Sequence, residues 1–487
     1  MRLFIAFLSF SFLGCTIAAI LIHRPFEPFL SSLTKPGPKN IPPVTPSPQP
    51  LQPSTPATPT ASKLNPAPPK KTEGPRLVAA HFMVGNVYSY TVDDWSKDMT
   101  LAASKGIDAF ALNIGHEAWQ FQRAQDAYTA ATALNDRGTH FKLFPSFDMS
   151  TLPCAVATQG EALQDFVAMY HNHTSQFKYR GRMFVTTFGG SHCLYGEQRM
   201  DDGWWKILKS GPHKVFLVTA FFEDPALYGG YRSPDGALAW NSAWPMGNYP
   251  INSEYDNKYF ECLGNRTYMA AVSPWLFTHY GPSSYHKNFI YRGDDWHFVN
   301  RWEELIAQRK QIHLVEVISW NDYGESHYIG PIAGNRPDSQ TWTDGFDHQG
   351  WLDLMHYYIV AFKTGQYPTI TKDRAFVWGR LYPKGVDVPN DPVGRPRNWQ
   401  FTQDTIWAVV FLQAESQITF ACGPARLYVR LPAGVSKVYL NIVEDCQVTI
   451  VVARMGAVVL DFAPQDFIFK GSPKTYNFNA FVAASPA

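Results

Sequence analysis

Charge of either sign is scarce in this chain, and the two signs cancel. Charged residues make up 17% of the sequence, and 42 Lys and Arg stand against 41 Asp and Glu, for a formal net charge of +1. No electrostatic field favours nucleic acid or an anionic surface as a partner, so no nucleic-acid binding is expected. Short chemical signatures are missing as well. There is no Gly-x-Ser-x-Gly elbow for a serine nucleophile, no His-Glu-x-x-His or Cys-x-x-Cys spacing for zinc, and neither a P-loop nor a Gly-x-Gly-x-x-Gly turn for a nucleotide. No metal and no cofactor is expected. Cysteine is limited to 6 residues, of which Cys15 lies in an N-terminal apolar run. The pairings that fit the segment plan are Cys154 with Cys193 and Cys422 with Cys446, leaving Cys262 over, and such bridges need an oxidising compartment.

Aromatic residues, by contrast, are abundant: 15% of the chain, with 15 Trp, 24 Tyr and 34 Phe. Most of these rings belong in a core, but the same richness is common where flat sugar rings are bound. At 487 residues the chain is also too long for one ordinary domain.

Composition divides the chain into four parts. Residues 1–24 hold an apolar stretch from Leu3 to Ile22, closed by His23-Arg24. It is longer than a usual signal-peptide apolar core and close to the ~20 residues that span a bilayer. It is either cleaved near Ala18-Ala19 or, as its weak cleavage site favours, kept as an anchor giving single-pass membrane association through residues 3–22. Residues 25–75 are rich in Pro, Ser and Thr and read as a disordered stalk. Both features place the remainder in the secretory pathway, outside the cell or in its wall. The sequons Asn172-His173-Thr174 and Asn265-Arg266-Thr267 agree with that.

From residue 76 to 372, apolar β-branched runs alternate with helical ones. Strands are expected at Leu77–Val84, Ile107–Ile114, Phe141–Phe147, Met183–Phe188, Val215–Phe222, Leu238–Trp240, Tyr268–Val272 and Leu314–Trp320. Helices are expected over Thr91–Lys105, capped by Thr91, Ala118–Leu134, Glu161–Met169, around Trp204–Leu208, and over Trp296–Gln308 and Leu352–Lys363. Eight strands separated by helices imply an α/β fold, a (β/α)₈ barrel with its site at the C-terminal strand ends; the sixth strand is short, which leaves an open sheet as the alternative. Residues 373–487 carry only short alternating runs and read as an all-β sandwich module, which either binds polysaccharide or covers the flank of the barrel. A monomer is expected.

The chemistry concentrates after the eighth strand, in Ser319-Trp320-Asn321-Asp322-Tyr323-Gly324-Glu325-Ser326-His327-Tyr328. Two carboxyl groups three positions apart, Asp322 and Glu325, can share the work of protonating a leaving oxygen and activating a water or attacking an anomeric carbon. Trp320, Asn321, Tyr323 and His327 offer ring faces and hydroxyl-binding groups beside them. The bland alternative is a polar turn opened by Asp322, with Gly324 supplying an unusual backbone angle. Other strand ends of the barrel would bring His81, Asn113, Asp148, Glu223, Asp224, Trp240, Asn241 and Trp275 to the same mouth. His81 alone could equally be a hydrogen-bonded core residue, and Asp148 or Asp224 a cap.

Four separated motifs, His81-Phe82-Met83-Val84-Gly85-Asn86, Gly106-Ile107-Asp108-Ala109-Phe110-Ala111-Leu112-Asn113, Val272-Ser273-Pro274-Trp275 and the segment from Ser319 to Tyr328, resemble the fungal α-1,3-glucanases (mutanases) of glycoside hydrolase family 71. The resemblance runs from about Leu77 into the C-terminal module. It implies a barrel followed by a sandwich, endo-acting hydrolysis of α-1,3-glucan with inversion at the anomeric carbon, no cofactor, and Asp322 and Glu325 as the acidic pair. Which of them is the acid stays open. So do two rival readings: a glycan-binding wall protein without turnover, and a glycosidase of the same fold acting on another α-linked glycan.

Overall fold

The computed structural model describes residues 76–487; the apolar run and the Pro-rich stretch expected before them lie outside the described residues. Among the described residues no helix is long and apolar enough to cross a membrane.

Eight parallel strands form the first part: β1 (Leu77–Met83), β2 (Ala109–Ile114), β3 (Lys142–Asp148), β4 (Arg182–Phe188), β5 (Val215–Ala220), β6 (Gly236–Ala239), β7 (Thr267–Val272) and β8 (Leu314–Val317). Each pairs with the next. The register Leu77↔Leu314 to Ala80↔Val317 then joins β8 back to β1 and closes the barrel. The short sixth strand pairs on both sides, so the open sheet is excluded.

Side-chain size makes the closure work. The inward positions of β1 and β2 are small, Ala79, Ala109 and Ala111, while β3, β4 and β5 supply Phe144, Phe184 and Phe216, all buried. Phe144 meets Phe184 edge-on at 4.9 Å, and Phe184 stacks on Phe216 at 6.0 Å. Large residues on one wall fill the space that alanines leave on the other, the packed interior this architecture requires.

Helices wrap the outside: α1 (Val92–Ser104), α2 (Ala118–Asn135), α3 (Glu161–Tyr170), α4 (Met200–Trp204, extended by a π turn to Lys209), α5 (Glu254–Cys262), α6 (His297–Ala307) and α7 (Gln349–Thr364). Thr91 caps α1 as expected, in a reciprocal box with Asp94, a device worth ~1 kcal/mol. The sequence pattern did not anticipate α5, a polar nine-residue helix.

The C-terminal residues form two antiparallel sheets. One contains β9 (Arg374–Arg380), β10 (Thr405–Leu412), β13 (Gly434–Asn441) and β16 (Ala480–Ala484), and the other β11 (Ser416–Cys422), β12 (Ala425–Leu431), β14 (Cys446–Arg454) and β15 (Ala457–Phe462). Ile406, Ala408 and Val410 of the first face Ile418, Phe420 and Ile450 of the second in a shared core. The disulfides Cys154–Cys193 and Cys422–Cys446 both form, and Cys262 is free. The two parts share a second core in which Trp275 and Trp351 of the barrel pack with Trp378 and Phe478.

Candidate active site

The segment after β8 is folded back on itself and tied to the end of β1. Trp320 N–H donates to His81 O (2.7 Å), and the Asn321 amide clamps Met83 by accepting from its N–H (2.7 Å) and donating to its O (3.1 Å). Ser319 and His327 then close the loop, with Ser319 N–H donating to His327 O at 2.8 Å. Gly324 does not supply the left-handed angle expected of it; Ser326 does, at φ 59°. The glycine is needed for a close approach instead, because a Cβ at Gly324 would run into the Tyr280 hydroxyl.

This loop holds Asp322 and Glu325 in a defined hydrogen-bond chain. Asp322 N–H donates to Ser319 Oγ (2.8 Å), Ser319 Oγ lies 3.0 Å from His327 Nδ1, and His327 Nε2 lies 3.2 Å from Glu325 Oε2. Nε2–H donates to Glu325, while Nδ1 accepts from the Ser319 hydroxyl in the neutral ring and donates to it in the protonated one. Glu325 N–H donates to Asp322 Oδ1 at 3.0 Å. The Lys287 ammonium, from the β7–α6 connection, sits 2.9 Å from Glu325 Oε1.

These neighbours make two similar carboxyl groups unlike. Burial is the largest influence on Asp322 and pushes its carboxyl above the ordinary value; His327 pulls it back and the charge of Glu325 pushes it up again. Burial acts on Glu325 too, but Lys287 and His327 outweigh it and hold that carboxyl well below the usual carboxylate range. One group tends to keep its proton while the other stays ionised, the division that acid and base catalysis needs. Asp322, Glu325 and His327 also bring one donor atom each within 4.8 Å of one another. A cation could use that spacing, yet the Lys287 ammonium already supplies positive charge there.

Several of the residues expected from sequence lie at the C-terminal ends of the barrel strands. His81 lies at the barrel axis with Nδ1–H donating to Glu316 Oε1 (2.7 Å) and its ring 4.8 Å from that of Trp240. Trp240 also meets Phe188 at 4.8 Å. Asn113 and Asp148 end neighbouring strands; Asp148 accepts from Ser150 N–H (3.0 Å), burial raises its pKa, and the charges of His81 and Lys287 act against that rise. Glu223 accepts from the Tyr231 hydroxyl at 2.7 Å. Asp224 acts as a cap, accepting from Ala226 N–H at 3.0 Å, and Asn241 lies in the turn after β6.

Four expected residues are not brought to the mouth surface. Trp275 is 1% exposed and donates from Nε1 to Phe478 O, inside the core shared with the C-terminal sheets. Trp320, also 1% exposed, lies against Phe110 outside the barrel wall. Asn321 is the clamp described above. Tyr323 is buried, its hydroxyl donating to Pro331 O and accepting from Ala333 N–H. These side chains shape the loop from behind.

Sequence reasoning missed Lys287, Ser319 and Glu316. Glu316 had a readable signal, a lone carboxylate in a strand buried on both faces. Lys287 had none, since its partner is 38 positions away on another connection.

A closed parallel barrel with two carboxyl groups of split acidity at its C-terminal mouth, among half-buried rings, defines the protein as a glycoside hydrolase. More narrowly, the chain belongs to glycosyl hydrolase family 71, which it matches over residues 74–487. It is 34% identical over 418 residues to the glucan endo-1,3-alpha-glucosidase agn1 of Schizosaccharomyces pombe, covering 84% of this chain and 95% of that one. Identity is also 34% over 425 residues to the mutanase Pc12g07500 of Penicillium rubens, covering 84% and 89%. The ascus wall endo-1,3-alpha-glucanase of S. pombe is 30% identical over 357 residues, 70% and 79% of the two chains.

Proposed function

We propose that the protein hydrolyses α-1,3-glucosidic bonds within cell-wall glucan, with Asp322 as general acid and Glu325 as general base. The observation that carries the assignment is the asymmetry of the pair. Asp322, with its pKa raised, holds a proton for the leaving oxygen. Glu325, kept ionised by Lys287 and His327, takes one from water. The names of the relatives support the linkage, and Trp240 and His81 supply a ring edge and an imidazole where a pyranose would rest. The two disulfides support work in an oxidising compartment outside the cytoplasm.

A bell-shaped pH profile follows, with its sign fixed by the two shifts. Activity rises as Glu325 loses its proton, below the ordinary Glu range, and falls as Asp322 loses its own, above the ordinary Asp range. Initial rates across pH should therefore peak between the two limbs. An alkaline limb at or below the ordinary Asp range would remove Asp322 as the acid.

The direct experiment is reducing-sugar release from insoluble α-1,3-glucan, beside α-1,4-, α-1,6- and β-1,3-glucans. Release from the first alone is expected, and a chain that binds glucan but releases nothing would overturn the proposal. The same digest, followed by NMR of the first-formed anomer, tests stereochemistry. We infer inversion, giving the β-anomer, in which Glu325 activates water. The nearest donor oxygens of the pair come within 4.8 Å, shorter than the ~6.5–9.5 Å typical of inverting pairs and nearer the ~5–5.5 Å of retaining ones. The nearest-oxygen distance is not the separation of the two carboxyl groups, so the anomer decides: a β-anomer keeps Glu325 as the base, and an α-anomer would make it the nucleophile.

A further inference from the structure

Lys287 tunes Glu325, and its own place is set through its backbone, whose O accepts from Tyr280 N–H at 2.7 Å. Its side chain is half-exposed, and it borders a two-stranded ribbon, Phe277–His279 paired with Asn288–Ile290. Such a ribbon is marginal by itself. One strand is tied to the catalytic loop, since Phe277 N–H donates to Glu325 O at 3.0 Å. The other strand depends on the C-terminal module.

The connection from β9 to β10 runs along that second strand as a third, parallel segment. Arg397 N–H donates to Asn288 O (3.0 Å) and Ile290 N–H donates to Arg397 O (3.1 Å), while the Asn288 amide donates to Gly394 O at 3.0 Å. Asp391 stands at the junction, with its side chain 1% exposed. It accepts from His279 Nε2 on the ribbon (2.9 Å), from Val393 N–H in its own connection (2.9 Å), and from Tyr476 N–H on the approach to β16 (2.7 Å). A carboxylate withdrawn from water this far is tolerable only because its oxygens are so fully bonded. Farther along the same approach, Asn479 donates to the Tyr328 hydroxyl at 3.1 Å, beneath the end of the catalytic loop.

We propose that the C-terminal module is a working part of the active centre, and that Asp391 is a positioning residue which, through His279 and Asn288, fixes Lys287 against Glu325. The module is then neither a separate polysaccharide-binding unit nor a passive cover. This rests on the reading of Glu325 as the base, and the test separates the two.

The charged and titratable groups facing Glu325 are Asp322 and His327 from its own loop, Lys287 from the ribbon, and Tyr280 and Tyr291 from either side of the ribbon. Asp148 faces Lys287, and Arg397 faces Tyr291. Lys287, Tyr280 and Tyr291 all lie on or beside the ribbon that the Asp391 junction ties down, and of these three Lys287 alone carries a charge opposite to that of Glu325. A cation beside a carboxylate lowers its pKa, so loosening Lys287 raises that of Glu325 and moves the acid limb of the pH–rate profile upward.

The experiment uses the full chain and compares kcat/KM across pH on soluble α-1,3-glucan oligosaccharides for the parent, Lys287→Met, Asp391→Ala, His279→Gln and the Asp391→Ala/Lys287→Met double variant, with thermal midpoints alongside. Lys287→Met should raise the acid limb by about one pH unit. Asp391→Ala should raise it toward the same place, His279→Gln less far, and the double variant no farther than Lys287→Met alone, because both act through one contact. If Asp391→Ala does not fold, His279→Gln carries the same comparison. A lower thermal midpoint with the limb unmoved would make Asp391 merely structural and overturn the proposal, as would additive shifts in the double variant. An unmoved limb in Lys287→Met would instead overturn the reading of Glu325, and the proposal with it.

Discussion

Replacing Asp322 with Asn is expected to lower kcat on α-1,3-glucan by ~10²–10⁴-fold while glucan still binds, and Glu325→Gln should do the same. Both changes keep the size of the side chain. In Asp322→Asn the new amide oxygen would still accept the hydrogen bond that Glu325 N–H gives to Oδ1, and in Glu325→Gln the new amide would keep an oxygen for His327. What is lost is a proton in one case and a charge in the other. The Lys287 and His327 contacts to the Glu325 charge are lost in Glu325→Gln, so that variant should lose some thermal stability, tempered by the half-exposure of the Lys287 ammonium. Substrate choice distinguishes the roles. An aryl α-glucoside whose leaving group needs no proton should largely rescue Asp322→Asn and leave Glu325→Gln inactive. The reverse pattern would exchange acid and base. Loss in the double variant should resemble that in either single one, because residues acting on one bond do not contribute additively.

The barrel was legible because its signal is repeated. Eight apolar runs at helix-separated intervals leave few ways to bury them, and even the weak sixth run had to form once its neighbours did. That Asp322 and Glu325 stand side by side was legible because both follow one strand. Side-chain direction was not. Trp275, Trp320, Asn321 and Tyr323 adjoin the chemistry in sequence, yet a strand end or a folded loop turns alternate residues toward and away from the mouth, and these four face the scaffold. Residue type decided little, since a Trp that stacks on sugar and a Trp that fills a core have the same composition signal. The contact between the C-terminal residues and the ribbon was hidden for a different reason. Asp391 meets His279 across 112 positions, and no pattern local to either segment encodes that pairing.

The largest stability effect should come from a position with no part in the chemistry. Asp256 on α5 and Arg301 on α6 are both fully buried, with Arg301 Nη1 and Nη2 donating to the two carboxylate oxygens at 2.6 and 2.7 Å. Arg301 also donates from Nε to Ala271 O on β7 (3.0 Å) and from Nη2 to Ser242 Oγ (2.9 Å), and the Tyr268 hydroxyl bonds Asp256. Asp256→Ala would leave the interior guanidinium with only its longer contact to Glu304 (3.4 Å) as counter-charge, and should cost ~3–5 kcal/mol, seen as a lower urea midpoint. The loss reaches the mouth as well. Ser242 donates to Ala239 O at 2.7 Å and belongs to the turn after β6 that carries Trp240, so a loosened Arg301 frees one wall of the sugar site and should raise KM before it lowers kcat. Removing both partners, as Asp256→Leu with Arg301→Met, should recover most of the stability, because no charge is then stranded. A single variant that shifts the midpoint by less than ~1 kcal/mol would mean that water reaches Arg301, and the ion pair would then be a surface contact of little weight.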